Sequence, residues 1–237
     1  MGISAVVWDI DDTLFDYSGS DRAAALRHFA AEGLLGRFSS PEAALARWRV
    51  VMEEQYGRYL AGEQSFVAQR RERSRAFLGE VLSDAEADAW FARYLAHRGD
   101  ADGLFPDVLP ALTALTPGYR HGLLSNSDIG HQDRVLRGLG IRDRFEVLVC
   151  SDQLGHAKPA PEAFLAACEA MGLPPGAVAY VGDRPDTDAA GADAAGLYGI
   201  WLDRTGDGAA HRGLGLRRIT GLAALPALLR SLADPTS

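Results

Sequence analysis

The chain has 237 residues, of which 47% are hydrophobic and 24% charged, and its formal net charge is -8. That length suits one large domain or a medium core carrying an inserted module, and the composition is that of a globular protein rather than a disordered one. The acidic balance argues against a nucleic-acid polymer or an anionic membrane as partner, because both demand clustered Lys and Arg, but a small phosphate ligand needs only local positive charge.

In chain order, the first predicted element is a short apolar strand, Ala5 to Trp8, running into Asp9-Ile10-Asp11-Asp12-Thr13. A helix then starts at Ser20 or Asp21 and continues to about Ala31. Ser40-Pro41-Glu42 is a helix start with Pro in the first turn, leading through Trp48 to Tyr59. A third helix is expected from Phe66 to Leu82. Ser83 with Glu86 forms a capping box for a fourth, to about His97. No strand pattern occurs between Phe15 and Gly103.

From Leu104 the texture changes. Helix Asp107–Leu115, strand His121–Leu124, helix Ile129–Leu139, strand Val147–Cys150 and helix Pro161–Met171 follow one another. Strand Ala177–Val181, helix Asp188–Ala195, strand Tyr198–Leu202 and a last helix from about Leu222 to Leu232 complete the series, and the tail from Asp234 to Ser237 is expected to fray. Short apolar strands alternating with helices indicate βαβ units and a parallel sheet. The lone strand before residue 15 must join that sheet. The fold class is therefore α/β: a doubly wound, Rossmann-like core from residues 1–15 and 104–237, with an all-helical insertion from 16 to 103.

The chain lacks a basic, apolar leader at Met1-Gly2-Ile3-Ser4, and no window reaches the ~18 apolar residues of a membrane span, so neither a signal peptide nor a membrane partner is expected. Cys150 and Cys168 are too few for a disulfide framework and read as buried free thiols. The resulting expectation is a cytoplasmic setting. The sequence sets no oligomeric state. Of the 24 basic residues only Lys158 is a lysine, and Asn126 is the only asparagine. Codon bias depletes both types, yet one of each survives. Arg can replace a surface Lys but not a compact point charge in a tight site, so both positions become candidates.

Ligands of an open parallel sheet bind at the carboxyl ends of its strands. Here those ends carry Asp9 and Asp11, Ser125-Asn126, the loop with Lys158, and Gly182-Asp183 with Asp186 and Asp188 beyond. Carboxylates gathered in one crevice repel one another unless a cation neutralises them, and oxygen ligands without Cys or His suit magnesium. Magnesium and one Lys then make a site for a dianionic phosphoryl group. One carboxylate can attack phosphorus, and a second, two residues away, can protonate the leaving alcohol and later activate water.

These residues resemble the four motifs of the haloacid dehalogenase (HAD) superfamily, in the family's order and over nearly the whole chain. Asp9-Ile10-Asp11-Asp12-Thr13-Leu14 looks like the first, Leu123-Leu124-Ser125-Asn126 the second, and Lys158-Pro159 with Pro161-Glu162 and Phe164 the third. Val181-Gly182-Asp183 through Asp188, with Gly191-Ala192 and Ala195-Gly196, looks like the fourth. The helical insertion is similar to the family's C1 cap, a lid that selects substrate. The resemblance implies Asp9 as nucleophile and metal ligand, and Asp11 as general acid and base with its backbone carbonyl on the metal. Thr13 joins the substrate-binding set in support of the first loop. Ser125 and Asn126 hold phosphoryl oxygens, Lys158 neutralises charge, Asp183 ligates Mg2+, and Asp188 orients Lys158 or metal-bound water. Asp12 stands where many relatives carry Gly and points to no separate role.

Asp11 separates reactions within the family, because dehalogenases and phosphonate hydrolases lack an acid there. The expected activity is therefore phosphatase action on a small phosphate ester such as a sugar phosphate, phosphoglycolate or a nucleoside monophosphate. A haloacid dehalogenase, a phosphomutase and a non-catalytic binding module on the same fold are the alternatives. In the insertion, Tyr17 is a candidate substrate contact, and Arg70 or Arg73 could bind a second anionic group, against the plainer reading of a solvated helix face.

Overall fold

The computed structural model describes residues 2–99, 103–206, 208 and 215–233. The tail from Asp234 to Ser237 lies outside the described residues. The chain divides into two compact units, one of residues 1–15 with 104–237 and one of residues 16–103.

In the first unit six strands form one parallel sheet: β1 (Ala5–Trp8), β2 (Arg120–Ser125), β3 (Val147–Cys150), β4 (Val178–Gly182), β5 (Tyr198–Leu202) and β6 (Arg217–Ile219), in the order β3-β2-β1-β4-β5-β6. β1 and β4 are buried along their whole length, which explains why they read as unbroken apolar runs rather than alternating ones. The order reverses at β1, which pairs with β2 on one side and β4 on the other, so the crevice beyond its carboxyl end is the switch point of the sheet. Trp8 lies level with Leu123 of β2 and Val181 of β4, so the residues that follow each of these strands emerge side by side. Short β6 was not foreseen. It has three residues, two of them Arg, and gives no alternation to read.

The second unit holds α1 (Tyr17–Ala31), α2 (Pro41–Leu60), α3 (Phe66–Leu78) and α4 (Asp84–Gly99). Its core gathers Phe29, Trp48, Phe77, Trp90, Phe91 and Tyr94, with Phe29 and Phe77 stacked at 4.4 Å and Trp48 edge-on to Phe77 at 5.3 Å. Burying each such ring contributes about 1.5–3 kcal/mol. Ser40 caps α2 by accepting from the Ala43 N–H, and Ser83 and Glu86 form the expected capping box. Two boundaries differ from expectation. Asp16 accepts from the Gly19 N–H and starts α1 earlier, burying Ser20 and Asp21 inside the helix. Gly79, at φ 68°, ends α3 at Leu78 rather than Leu82. Among the described residues no helix is long and apolar enough to cross a membrane.

The remaining helices belong to the first unit: α5 (Val108–Leu115), α6 (Ile129–Gly138), α7 (Ser151–Leu154), α8 (Pro161–Ala170), α9 (Gly191–Ala194) and α10 (Leu225–Ala233). The helix expected over Asp188–Ala195 begins instead as a π-helical turn, Pro185–Ala190, followed by α9. The wider turn carries Asp188 in its interior, a common use of π geometry at sites.

Candidate active site

The segment after β1 is a tight coil around one carbonyl. The Ile10 oxygen faces the N–H groups of Thr13, Leu14 and Phe15, the Leu14 N–H at 2.9 Å. Such a reversal needs one left-handed residue, and Asp12 supplies it at φ 60°. Asp is among the few side chains that tolerate that conformation, which accounts for its occupying a position where Gly would serve. The Asp9 N–H continues the ladder onto the Val181 carbonyl at 2.9 Å, and Arg204, just past β5, donates to the Thr13 carbonyl and to both oxygens of Asp107. The coil is thus held at both ends.

Asp9 is 6% exposed. Its Oδ1 accepts from Lys158 Nζ at 2.6 Å and its Oδ2 from the Thr13 hydroxyl at 3.0 Å. Thr13 is fully buried, and its hydroxyl is directed at Asp9. Lys158 Nζ also donates to Asp188 Oδ1 and to the Tyr180 hydroxyl, both at 2.7 Å, so each ammonium hydrogen has an acceptor. Burial alone would lower the Lys158 pKa, but the carboxylates of Asp188 and Asp9 outweigh it and hold the group charged, well above its ordinary value.

The only Asn and the only Lys of the chain face each other. The Asn126 carboxamide donates to the Lys158 carbonyl at 2.8 Å and accepts from the Lys158 N–H at 2.7 Å. Asn126 was expected to hold phosphoryl oxygens. Both ends of its side chain bond the Lys158 backbone, which holds that loop in place. Asp188 Oδ2 accepts from the Arg184 N–H at 3.0 Å, so Asp188 is anchored as well as paired with Lys158. Gly182 makes room for it, because a Cβ there would overlap the Asp188 carboxyl group.

Carboxylate oxygens of Asp9, Asp183 and Asp188 lie within 4.8 Å of one another. Burial pushes the Asp9 carboxyl up to about 7, Lys158 opposing and Asp188 and Asp11 adding to it. Asp183 rises further, to about 9, from burial and then repulsion by Asp9, Asp188 and Asp12. Three carboxyl groups beside one ammonium resist ionising together without a further cation, and they form a crevice of hard oxygen donors. Asp183, whose side chain accepts no hydrogen bond among the described residues, is the carboxylate with most capacity for a cation, and its backbone is pinned by the Trp201 indole N–H at 2.9 Å. This donor set fits Mg2+.

Ser125 ends β2, buried, and its Oγ accepts from Gln132 Nε2 at 3.1 Å. The same nitrogen donates to Asp11 Oδ2 at 2.9 Å. Asp9, Thr13, Asn126, Lys158 and Asp188 therefore form one bonded constellation, Ser125 and Asp11 are joined to each other through Gln132, and Asp183 lies among the clustered carboxylates. Tyr17, Arg70 and Arg73 belong to the helical unit. Tyr17 lies under the Arg98 guanidinium at 4.1 Å, Arg70 covers the Phe66 ring at 4.2 Å, and Arg73 covers Trp48 at 4.6 Å. Arg73 is 5% exposed, with Nε and Nη2 unpartnered. Its neighbours Arg71 and Arg75 instead pair with Asp84, Asp88 and Glu72 on the helix surface.

Tyr180, Gln132 and Arg204 were missed by sequence reasoning. Gln132 had a signal: four residues before Leu136, it is a polar residue on the buried stripe of α6. Tyr180 in an apolar strand had none.

Comparison with known proteins agrees with this geometry. Residues 3–196 match the family of haloacid dehalogenase-like hydrolases. The chain is 30% identical over 209 residues to the glyceraldehyde 3-phosphate phosphatase of Methanopyrus kandleri, covering 85% of this chain and 84% of that one. It is 32% identical over 185 residues to the phosphoserine phosphatase of Thermus thermophilus, covering 77% and 67%. Among solved structures, the putative HAD-hydrolase YfnB from Bacillus subtilis, bound to magnesium, superposes with a TM-score of 0.81 at 18% identity over 97% of this chain and 100% of that one. The 2-haloacid dehalogenase of Pseudomonas syringae does so with a TM-score of 0.66 at 29% identity over 96% and 98%. By sequence match, motif order and fold, the chain belongs to the haloacid dehalogenase-like hydrolases.

Proposed function

We propose that the protein is a magnesium-dependent phosphomonoester hydrolase that works through an aspartyl-phosphate on Asp9. The observation that carries this reading is the pairing of Asp9, buried and clamped by Lys158 and Thr13, with a second carboxylate, Asp11, two residues on. An Asp9 oxygen attacks phosphorus and the ester P–O bond breaks, while Asp11 gives its proton to the departing alkoxide. Asp11 then takes a proton from water, the hydroxide attacks phosphorus, and the bond to Asp9 breaks to release phosphate. The Ser125 hydroxyl and Lys158 balance charge on the phosphoryl oxygens. Asp9, Asp183 and the Asp11 carbonyl are the proposed ligands of Mg2+, which when bound offsets the negative charge of nucleophile and phosphoryl group.

Asp11 also favours phosphate esters over haloacids, because halide leaves without a proton. The relatives named for glyceraldehyde 3-phosphate and phosphoserine put small phosphorylated metabolites first among substrates. We assign substrate selection to the helical unit as a cap. There Arg73, whose Nε and Nη2 lack a hydrogen-bond partner among the described residues, favours a substrate with a second anionic group. The test is phosphate release from a panel of small phosphomonoesters, with Mg2+ and with chelator, beside halide release from 2-haloacids. Magnesium-dependent phosphate release without halide supports the phosphatase. Halide release alone establishes the dehalogenase in its place.

A further inference from the structure

Asp11 and Ser125 share a hydrogen-bond donor, Gln132, a side chain outside the four motifs. Gln132 sits in the first turn of α6, whose start is fixed by Asp128 accepting from the His131 N–H at 2.7 Å and by Asp152 accepting from the Ile129 N–H at 3.2 Å. Gln132 is 1% exposed. A carboxamide nitrogen has two hydrogens, and here one goes to Asp11 Oδ2 and the other to Ser125 Oγ. In this orientation the amide nitrogen serves both the Asp11 carboxyl group and the Ser125 hydroxyl. The Gln132 Oε1 is left buried without a partner. An apolar side chain of the same size would fill this place more comfortably, so the polar one is retained at a cost to the fold.

We propose that Gln132 is a positioning residue that orients the general acid and the phosphate-binding hydroxyl as one unit. The amide holds the Asp11 carboxyl group through Oδ2 and so sets the plane in which it meets the leaving group. With Ser125 Oγ already accepting, its own hydrogen is directed away from Gln132 and is free to meet a phosphoryl oxygen. α6 thereby couples leaving-group protonation to phosphoryl binding through a single nitrogen. This inference rests on the reading of Asp9 as nucleophile and Asp11 as acid.

The test is a series of substituted phenyl phosphates whose leaving phenols span weak to strong acids, measured as kcat/KM on the magnesium-loaded protein. Gln132→Met removes the donor at constant size, and Gln132→Glu keeps the shape while exchanging donor for acceptor, so one variant serves if the other folds poorly. Nitrophenyl phosphate, whose leaving group departs without a proton, should lose about threefold or less. Unsubstituted phenyl phosphate should lose about ten- to a hundredfold, part of the full general-acid contribution. Adding Gln132→Met to Asp11→Asn should not steepen the series further. Equal losses across the series would assign Gln132 a merely structural role and overturn the proposal. If Asp11→Asn steepens the series and neither Gln132 variant does, the Gln132 role alone falls. If Asp11→Asn leaves the series unchanged, the acid assignment falls and takes this proposal with it.

Discussion

Replacing Lys158 by Met removes an ammonium that donates to Asp9, Asp188 and Tyr180 at 2.6–2.7 Å in a site 5% exposed. Two buried carboxylates then lose their counter-charge. Breaking a buried pair from one side typically costs about 3–5 kcal/mol, and for a chain of this size each kcal/mol shifts Tm by about 2–4 °C, so a drop of about 6–20 °C is expected in chelator at pH 8. The sign of the pH dependence follows from Asp9, which is raised from its ordinary 3.8 to about 7 with Lys158 in place and must rise further without it. A carboxyl whose folded pKa exceeds its unfolded one costs stability that grows as pH climbs through that window. The deficit of Lys158→Met should therefore shrink when the melt is repeated at pH 5. Thermal unfolding followed by circular dichroism reads both effects. A variant melting within about 2 °C of the parent at pH 8, or a deficit independent of pH, would refute the ion cluster as described.

Three further substitutions probe separate links. Asp183→Asn removes a carboxyl group whose ionisation is opposed by burial first and by its acidic neighbours second, so it should raise the metal-free Tm by a few degrees and abolish the rise that Mg2+ gives the parent, which at a hundredfold excess over Kd is worth about 2.7 kcal/mol. Asn126→Ala forfeits both bonds to the Lys158 backbone and should cost about 1–3 kcal/mol in urea unfolding, with a larger loss of turnover than of stability because Lys158 shifts. His28 is fully buried among Phe29, Trp90 and Tyr94, with neither ring nitrogen partnered, and burial lowers its pKa from 6.5 to about 4. The unfolded chain binds that proton more readily, so the parent should lose stability as pH falls from 6.5 toward 4, and His28→Phe should flatten this loss in melts across the range.

Much of the site was legible because its parts sit where strands end. Continuous burial of β1 and β4 made their apolar runs readable, and the polar residues that follow them, Asp9 and Asp183, stood out against that background. The caps at Ser40 and Ser83 were readable because their hydrogen bonds are local. Contacts that depend on chain folding were not. Asn126 stood out only as a singular residue, and its bond to Lys158 spans 32 positions. Gln132 reaches Asp11 across 121 positions, and Arg204 reaches Thr13 across 191. Tyr180 looks like any apolar strand residue until its hydroxyl is seen beside the Lys158 ammonium.

The central claim is covalent chemistry on Asp9, and trapping tests it most directly. The protein is mixed with Mg2+ and a turned-over phosphomonoester, quenched in acid and reduced with borohydride, which converts an aspartyl-phosphate to homoserine. The account predicts homoserine at position 9 in the peptide map, absent without substrate and in Asp9→Asn. Turnover with label at another residue, or undiminished turnover by Asp9→Asn, would contradict it.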